Sequence, residues 1–325
     1  FLCIPLFFQE AVSSLTCWRQ LLSYLVSFGE NKIESSIEDG VIVGSLTYSL
    51  WLCYFFAFFC WSTSVVTGEY SMVDRLWSIV PAIYTIFFAF IESNGSFWDW
   101  HPRVLLMCAL SCVWAARLTF NFARKGGYSL GHGEDYRWAA LRKRIGTGLV
   151  WHLFNISFIA FYQNLLLWWI ATPALQAASH PFEPLNWIDY VACGGFILLL
   201  IGETVADQQQ WNFQTEKYAR KDKGLPLKGD FKRGFLTQGL FYFSRHPNFF
   251  CEFSLWWMFY LFGVAASGSF FNWTLLGAIQ LTLLFQGSTS FTEQLSAEKY
   301  PEYKQYQKTT SRLIPMIPTM TTQFK

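Results

Sequence analysis

Seven stretches of this chain are apolar and long, and polar segments separate them. They fall at 41–66, 73–91, 103–120, 147–171, 187–207, 249–267 and 271–291. A helix needs about 20 mostly apolar residues to cross the hydrocarbon of a bilayer. The pattern therefore predicts an all-α, polytopic transmembrane bundle of about seven spans. Residues 1–28 offer an eighth, but Gln9, Glu10, Arg19 and Gln20 interrupt them. That segment crosses, re-enters or lies on the membrane. The chain divides into an N-terminal segment, 1–40, and one membrane domain, 41–325. Short connectors such as 267–271 join antiparallel neighbours.

Composition agrees. Charged residues make up only 14% of the 325, against about a quarter in soluble proteins. The net charge of +2 gives no reason to expect a nucleic-acid partner. Eight cysteines (Cys3, Cys17, Cys53, Cys60, Cys108, Cys112, Cys193, Cys251) lie mostly inside apolar runs. Without CxxC or a Cys/His zinc spacing they read as small buried hydrophobes, not metal ligands.

The distribution of charge says more than its sum. Counting seven spans puts 67–72, 121–146, 208–248 and 292–325 on one side. The three long segments carry six, eight and five Lys/Arg, which is 19 of the 24. The other side has only Arg19 and Lys32, with Arg103 at its edge. The positive-inside rule places the basic segments and the C-terminus in the cytosol or its organellar equivalent. Basic loops orient nearly every polytopic protein, so this charge alone implies no anionic ligand.

Polar side chains inside apolar runs carry more information, because charge at membrane depth is costly. The run ending IGETVADQQQWNF puts Glu203 and Asp207 four residues apart on one helix face, with Gln210 extending it. Two like charges there need a cation, a donor or a proton to coexist. The run at 73 opens with Asp74, Arg75 and Trp77. This is either a site or a helix start with a snorkelling arginine. Arg117 reads as another snorkelling residue. The loop NFARKGGYSLGHGEDYRW is glycine-rich, and Glu134 and Asp135 suit the start of a basic helix after it. It has no preceding strand and no GxGxxG, so Rossmann and P-loop readings fail. His132 has no second histidine at metal spacing.

The stretch FSRHPNFFCE, 243–252, stands at the mouth of the run 249–267. Pro247 suits the first turn of a helix. Arg245 and His246 fall just outside the helix start, where backbone N–H groups favour an anion. Asn248, Glu252 and Trp256 follow at spacings of four, on one face. The stretch reads as the lip of a pocket, with anion contacts outside, a hydrogen-bonding wall and an aromatic floor.

The pattern S-R-H-P-N-F-x-x-E-x-x-x-W resembles the C-terminal signature of a superfamily of membrane enzymes. It includes steroid 5α-reductases, sterol reductases, isoprenylcysteine carboxyl methyltransferases and phospholipid methyltransferases. DRLW at 74–77, GEDYRW at 133–138, E-x-x-x-D-x-Q at 203–209 and EKYPEYKQYQKTTSRLIPMIP at 298–318 agree. Together they are most similar to a branch grouped with the steroid 5α-reductase C-terminal domain, over about residues 70–318. The resemblance implies an NADPH pocket open to the cytosol in the C-terminal half, about 187–318. Asp207, Asn248, Glu252 and Trp256 would line it. Arg245, His246 and Tyr242 would meet phosphate or ribose, with Arg137 and Tyr136 as further contacts. In the methyltransferases the pocket holds S-adenosylmethionine, and Glu293 stands where a later glutamate contributes. The reductases' early Gln-Glu pair has no match, since FFQE at 7–10 lies too far from Glu203. The proton donor is therefore open among Tyr136, Glu203 and Asp74.

Three readings compete. The first is a multi-pass NADPH-dependent oxidoreductase that reduces a carbon–carbon double bond of a lipid or steroid-like molecule. The second is an S-adenosylmethionine-dependent lipid or prenylcysteine methyltransferase. The third is a non-catalytic subunit of a larger membrane complex. The endoplasmic reticulum is the default location, and the inner mitochondrial membrane satisfies the same charge rule.

Overall fold

The computed structural model describes residues 38–96, 99–129 and 134–318, with side chains from residue 44 onward. FFQE, His132, Cys3 and Cys17 lie outside the described residues. Helices, and no strands, make up the regular structure among those described. In chain order they are α1 Glu38–Thr67, α2 Met72–Trp77, α3 Val80–Glu92, α4 Pro102–Arg124 and α5 Tyr136–Ile145. Then come α6 Leu149–Ala178, α7 Trp187–Asp222, α8 Asp230–Arg233, α9 Pro247–Ser267, α10 Leu275–Lys299 and α11 Tyr303–Thr309. A short 3-10 turn covers Gly239–Tyr242.

Five of these, α1, α4, α6, α7 and α9, are long and apolar enough to cross a membrane. The run 73–91 does not form one helix. It breaks after Trp77, because Pro81 has no N–H for the Trp77 carbonyl and its ring crowds that oxygen. The resulting α3 has 13 residues, about 20 Å of helix, shorter than the hydrocarbon. DRLW therefore belongs to a separate short helix. The run 271–291 becomes α10, 25 residues long, with Gln280, Gln286, Ser288 and Ser290 along it.

Polar contacts at the helix ends fix their directions. Arg103 at the start of α4 pairs with Asp189 at the start of α7. Asn186 donates to the Ala265 carbonyl near the end of α9 (2.9 Å), and Trp273 before α10 donates to Gln176 near the end of α6 (3.1 Å). At the opposite end Arg137 reaches Ser288 (2.7 Å) and Arg144 reaches Glu298 (2.9 Å). So α4, α7 and α10 run one way, and α6 and α9 the other. The described parts of the three basic segments gather at one end, as the charge pattern predicts.

The C-terminal half of α6 is the centre. Residues 166–178 are buried without interruption, as expected of a helix apolar all round. Pro173 removes the N–H that would bond the Trp169 carbonyl. The Thr172 hydroxyl donates to that carbonyl instead, at 2.7 Å. Gly277 lets α10 approach the same point, where a Cβ would stand 2.5 Å from the Trp169 oxygen. Small residues give membrane helices this close approach. The α7–α9 contact uses the same device, since a Cβ on Gly195 would meet Met258 Sδ at 2.5 Å. On the outside, Trp51, Phe55, Phe58, Leu105, Leu198 and Leu283 are exposed, an apolar surface suited to lipid.

Gly277→Ala should lower stability by about 1–3 kcal/mol, the usual cost of overpacking a tight contact. Thermal unfolding of the two proteins in the same nanodiscs measures it. An unchanged melting temperature would mean that α6 and α10 do not meet at Gly277.

Candidate functional site

Three helices bring carboxylates to one arginine. Arg117 lies near the polar end of α4 with its side chain 11% exposed. It donates to Glu203 on α7 at 2.8 Å and to Asp207 at 2.9 Å, with Glu252 of α9 at 3.6 Å. Arg117 is thus no snorkelling residue, because its guanidinium turns into the bundle and supplies the cation that Glu203 and Asp207 need. Asn121, one turn further along α4, donates to Asp207 at 2.8 Å, and Asn248 donates to it at 3.3 Å. Glu252 accepts from the indoles of Trp114 (3.0 Å) and Trp256 (3.2 Å). These two rings meet edge to face at 4.9 Å. The expected stripe Asn248–Glu252–Trp256 therefore does line one wall, and Pro247 does open its helix.

The cluster is not saturated. Glu203 Oε2 and Arg117 Nε are buried and have no hydrogen-bond partner among the described residues. Glu203 instead lies against the Glu252 carboxyl group. Such atoms are uncommon in folded proteins and call for a ligand, a proton or water. At the mouth of the cluster, Arg124 is held by Asn121 and Gln208 and stacks on Trp211. Lys125 next to it is exposed, within electrostatic reach of Asp207 and Glu203.

Arg245 and His246 are placed differently from the expectation. Both are buried, and Arg245 is fully engaged. Its Nε and Nη2 hold Glu293 of α10 (2.6 and 3.0 Å), and its Nη1 bonds the carbonyls of Gln307 (3.0 Å) and Thr310. His246 Nε2 lies 3.0 Å from Glu293, and Gln307 donates to it at 2.9 Å. An internal carboxylate thus fills the anion seat at the start of α9. Burial would raise the Glu293 carboxyl, but hydrogen bonds from His246, Arg245 and Gln307 outweigh it and hold the group down to about 2.

The remaining candidates form a third group. Asp74 of α2 accepts from the Trp138 indole (2.8 Å), and Arg137 clasps Asp135 and reaches Ser288. Asp135 caps α5, as its position before the basic helix suggested. Tyr136 and Tyr242 are exposed. None of the hydrogen bonds described for Asp74, Tyr136 or Arg137 reaches the Arg117 cluster, so Glu203 is the one proton-donor candidate within it. The sequence did carry a sign of the residues missed there. Trp114 and Arg117 stand inside an apolar run, and Asn121 follows at helical spacing just past its end.

Residues 60–310 match the model of a family described as protein of unknown function, DUF1295. The chain belongs to this DUF1295 family. It is similar to the uncharacterized protein C594.04c of Schizosaccharomyces pombe, 39% identical over 267 residues, which cover 79% of this chain and 76% of that protein. No solved structure matches the chain. Every member of the Arg117 cluster, and the Arg245–Glu293 pair, falls inside the region matched to DUF1295.

The Glu293 assembly predicts a pH dependence. A carboxyl whose folded value lies near 2, below its ordinary 4.5, stabilises the fold fully above about 4.5. That contribution is lost as the pH falls from 4.5 toward 2. Glu293→Gln should remove this part of the acid sensitivity. Chemical denaturation of both proteins at several pH values across that window measures it, and parallel curves would count against the assignment.

Proposed function

We propose that this chain is a membrane-embedded oxidoreductase that uses NADPH to reduce a carbon–carbon double bond of a lipid or steroid-like substrate. One observation carries the reading. A fully buried carboxyl pair, Glu203 and Glu252, stands at the inner end of a polar cluster, and one oxygen has no donor. NADPH would supply a hydride. Reduction of a polarised alkene also needs a proton at the neighbouring carbon, from a group held in place and kept from water. Glu203 is so held, because Arg117 fixes one of its oxygens and its carboxyl lies against that of Glu252.

The residues present suit such a cofactor. Asn248 and Asp207 carry amide and carboxylate groups suited to a carboxamide and ribose hydroxyls, and would exchange their bond to each other to meet them. Lys125 is an exposed cation at the mouth, suited to phosphate. Arg245, saturated by Glu293, would first have to release that carboxylate. The apolar surface suits a substrate arriving from the bilayer. The basic end would face the cytosol or the matrix, with the endoplasmic reticulum as the default by resemblance.

A second reading rests on the charge count. Three carboxylates share one guanidinium, and an electron-rich pocket of that kind suits the sulfonium of S-adenosylmethionine. The chain would then be a lipid methyltransferase.

The test is a side-by-side titration of NADPH and S-adenosylmethionine on protein in nanodiscs. NADPH should bind saturably, and Asn248→Ala and Lys125→Glu should each weaken it about ten- to a hundredfold, the range of one charge-assisted contact. Glu203→Gln should keep the binding and lower turnover of an enone lipid by about 10²–10⁴-fold. Preference for S-adenosylmethionine would replace the first reading by the second. Binding of neither by folded protein would sink both and favour a non-catalytic subunit of a larger complex.

A further inference from the structure

Residues 310–317 run as a strap across the start of α9. Ser244 Oγ donates to the Leu313 carbonyl (2.7 Å), Arg245 N to Ser311 (2.8 Å), and Met316 N to Phe243 (2.9 Å). Arg312 turns onto α10, where it donates to Ser290 (3.0 Å) and to Gln286. Leu313 is buried in the central apolar core. The next three large apolar side chains point outward. Ile314 is 63% exposed, Met316 60% and Ile317 84%.

The depth of the strap follows from the helices beside it. Helix α9 has 21 residues, about 31 Å of helix, close to the ~30 Å of hydrocarbon. Its first residue, Pro247, therefore marks one hydrocarbon boundary. Phe249, two residues in, packs against Phe285 of α10 at 5.1 Å. Gln286 and Ser290, which hold Arg312, stand at that level and one turn above it. Glu293 is about 10 Å further out than Gln286. The chain thus comes in from Thr310 at the polar end to Arg312 at the boundary. Nearby, Leu283 on α10 and Phe243 ahead of α9 are also exposed, so the outward side of the strap continues the apolar surface of the bundle. Pro315 and Pro318 remove two backbone donors that an apolar seat would leave unpaired.

We infer that residues 312–317 are an interfacial anchor whose partner is the bilayer itself, with Ile314, Met316 and Ile317 set among the acyl chains at the hydrocarbon boundary. An apolar strap seated there gains from burial in the lipid. The guanidinium of Arg312, held by Gln286 and Ser290, sits at headgroup level. The anchor is tied to the candidate site, because the carbonyls of Thr310 and Ser311, just ahead of it on the strap, accept from the Arg245 guanidinium and the Arg245 backbone N–H.

The experiment uses the full chain in nanodiscs and a polar, membrane-impermeant maleimide. Lys304→Cys, Met316→Cys and Ile317→Cys are labelled in parallel, and labelling of the unaltered chain is subtracted. All three positions are exposed on the protein, so lipid alone should distinguish them. Lys304→Cys should label rapidly, and the other two at least about tenfold more slowly, since the thiolate that reacts is disfavoured in apolar surroundings. A small membrane-permeant maleimide should reach all three. Equal rates at 304 and 317 with the impermeant reagent would overturn the inference, and would mean that the strap faces water or is open to a soluble partner.

Discussion

Two ion pairs set the register on which the bundle depends. Arg103 and Arg117 are fourteen residues apart on α4, and their partners Asp189 and Glu203 are fourteen apart on α7. Equal spacing in the same direction is possible only for parallel helices in one register, clamped at two points about 21 Å apart. Arg103 is wholly buried, bidentate to Asp189, and also takes the carbonyls of Glu183 and Pro184. Asp189 in turn completes the cap of α7. A slip of one turn would take Asp189 away from the wholly buried Arg103, and an uncompensated buried charge costs about 3–5 kcal/mol. The Arg103 pair therefore aligns the end of the bundle opposite the site, and by doing so presents Glu203 and Asp207 to Arg117.

The polar end is assembled around the same axis but from distant sequence. Helix α9 brings Asn248 and Glu252 to the cluster because glycines on α7 let it approach. The start of α9 is in turn held by Glu293, 48 residues beyond Arg245, and by the carbonyls of Gln307 at the end of α11 and Thr310 on the strap. The signature stretch 243–252 thus has two jobs within ten residues. Its outer residues hold the C-terminal segment in place, and its inner residues face the carboxylates. That division follows from geometry. His246 stands just before the helix and its ring turns to Glu293 of α10, while Asn248 and Glu252 face α7 and α4.

Much of this was legible in the sequence, and the exceptions share a cause. Long apolar runs, the gathering of basic segments at one end, the start of α9 at Pro247 and the Asn248–Glu252–Trp256 face all follow from local periodicity or local turn chemistry. Arg117 and Arg245 did not follow, because what a long cation does depends on what stands opposite it. Arg117 has the sequence context of a snorkelling residue, and only partners 86 and 135 positions away turn it inward. Arg245 has the context of an anion contact at a helix start, and an internal carboxylate supplies that anion. The division of 73–91 had a visible signal in Pro81, which the apolar run outweighed.

The charge balance of the cluster decides which chemistry it can support. Asp207 is met by Arg117, Asn121 and Asn248, and Glu252 by two indoles. Glu203 takes one donor, Arg117, and lies against the Glu252 carboxyl group. Neutral indole donors orient Glu252 but bring no charge, and the one guanidinium shared among three carboxyls brings a single positive charge. A shared proton, the nearby Lys125 or a cationic ligand would each offset the deficit. A proton suits reduction of an alkene, while a sulfonium suits methyl transfer. Lys125 and Arg124 at the mouth would repel an incoming cation and attract an anion before either reached the cluster.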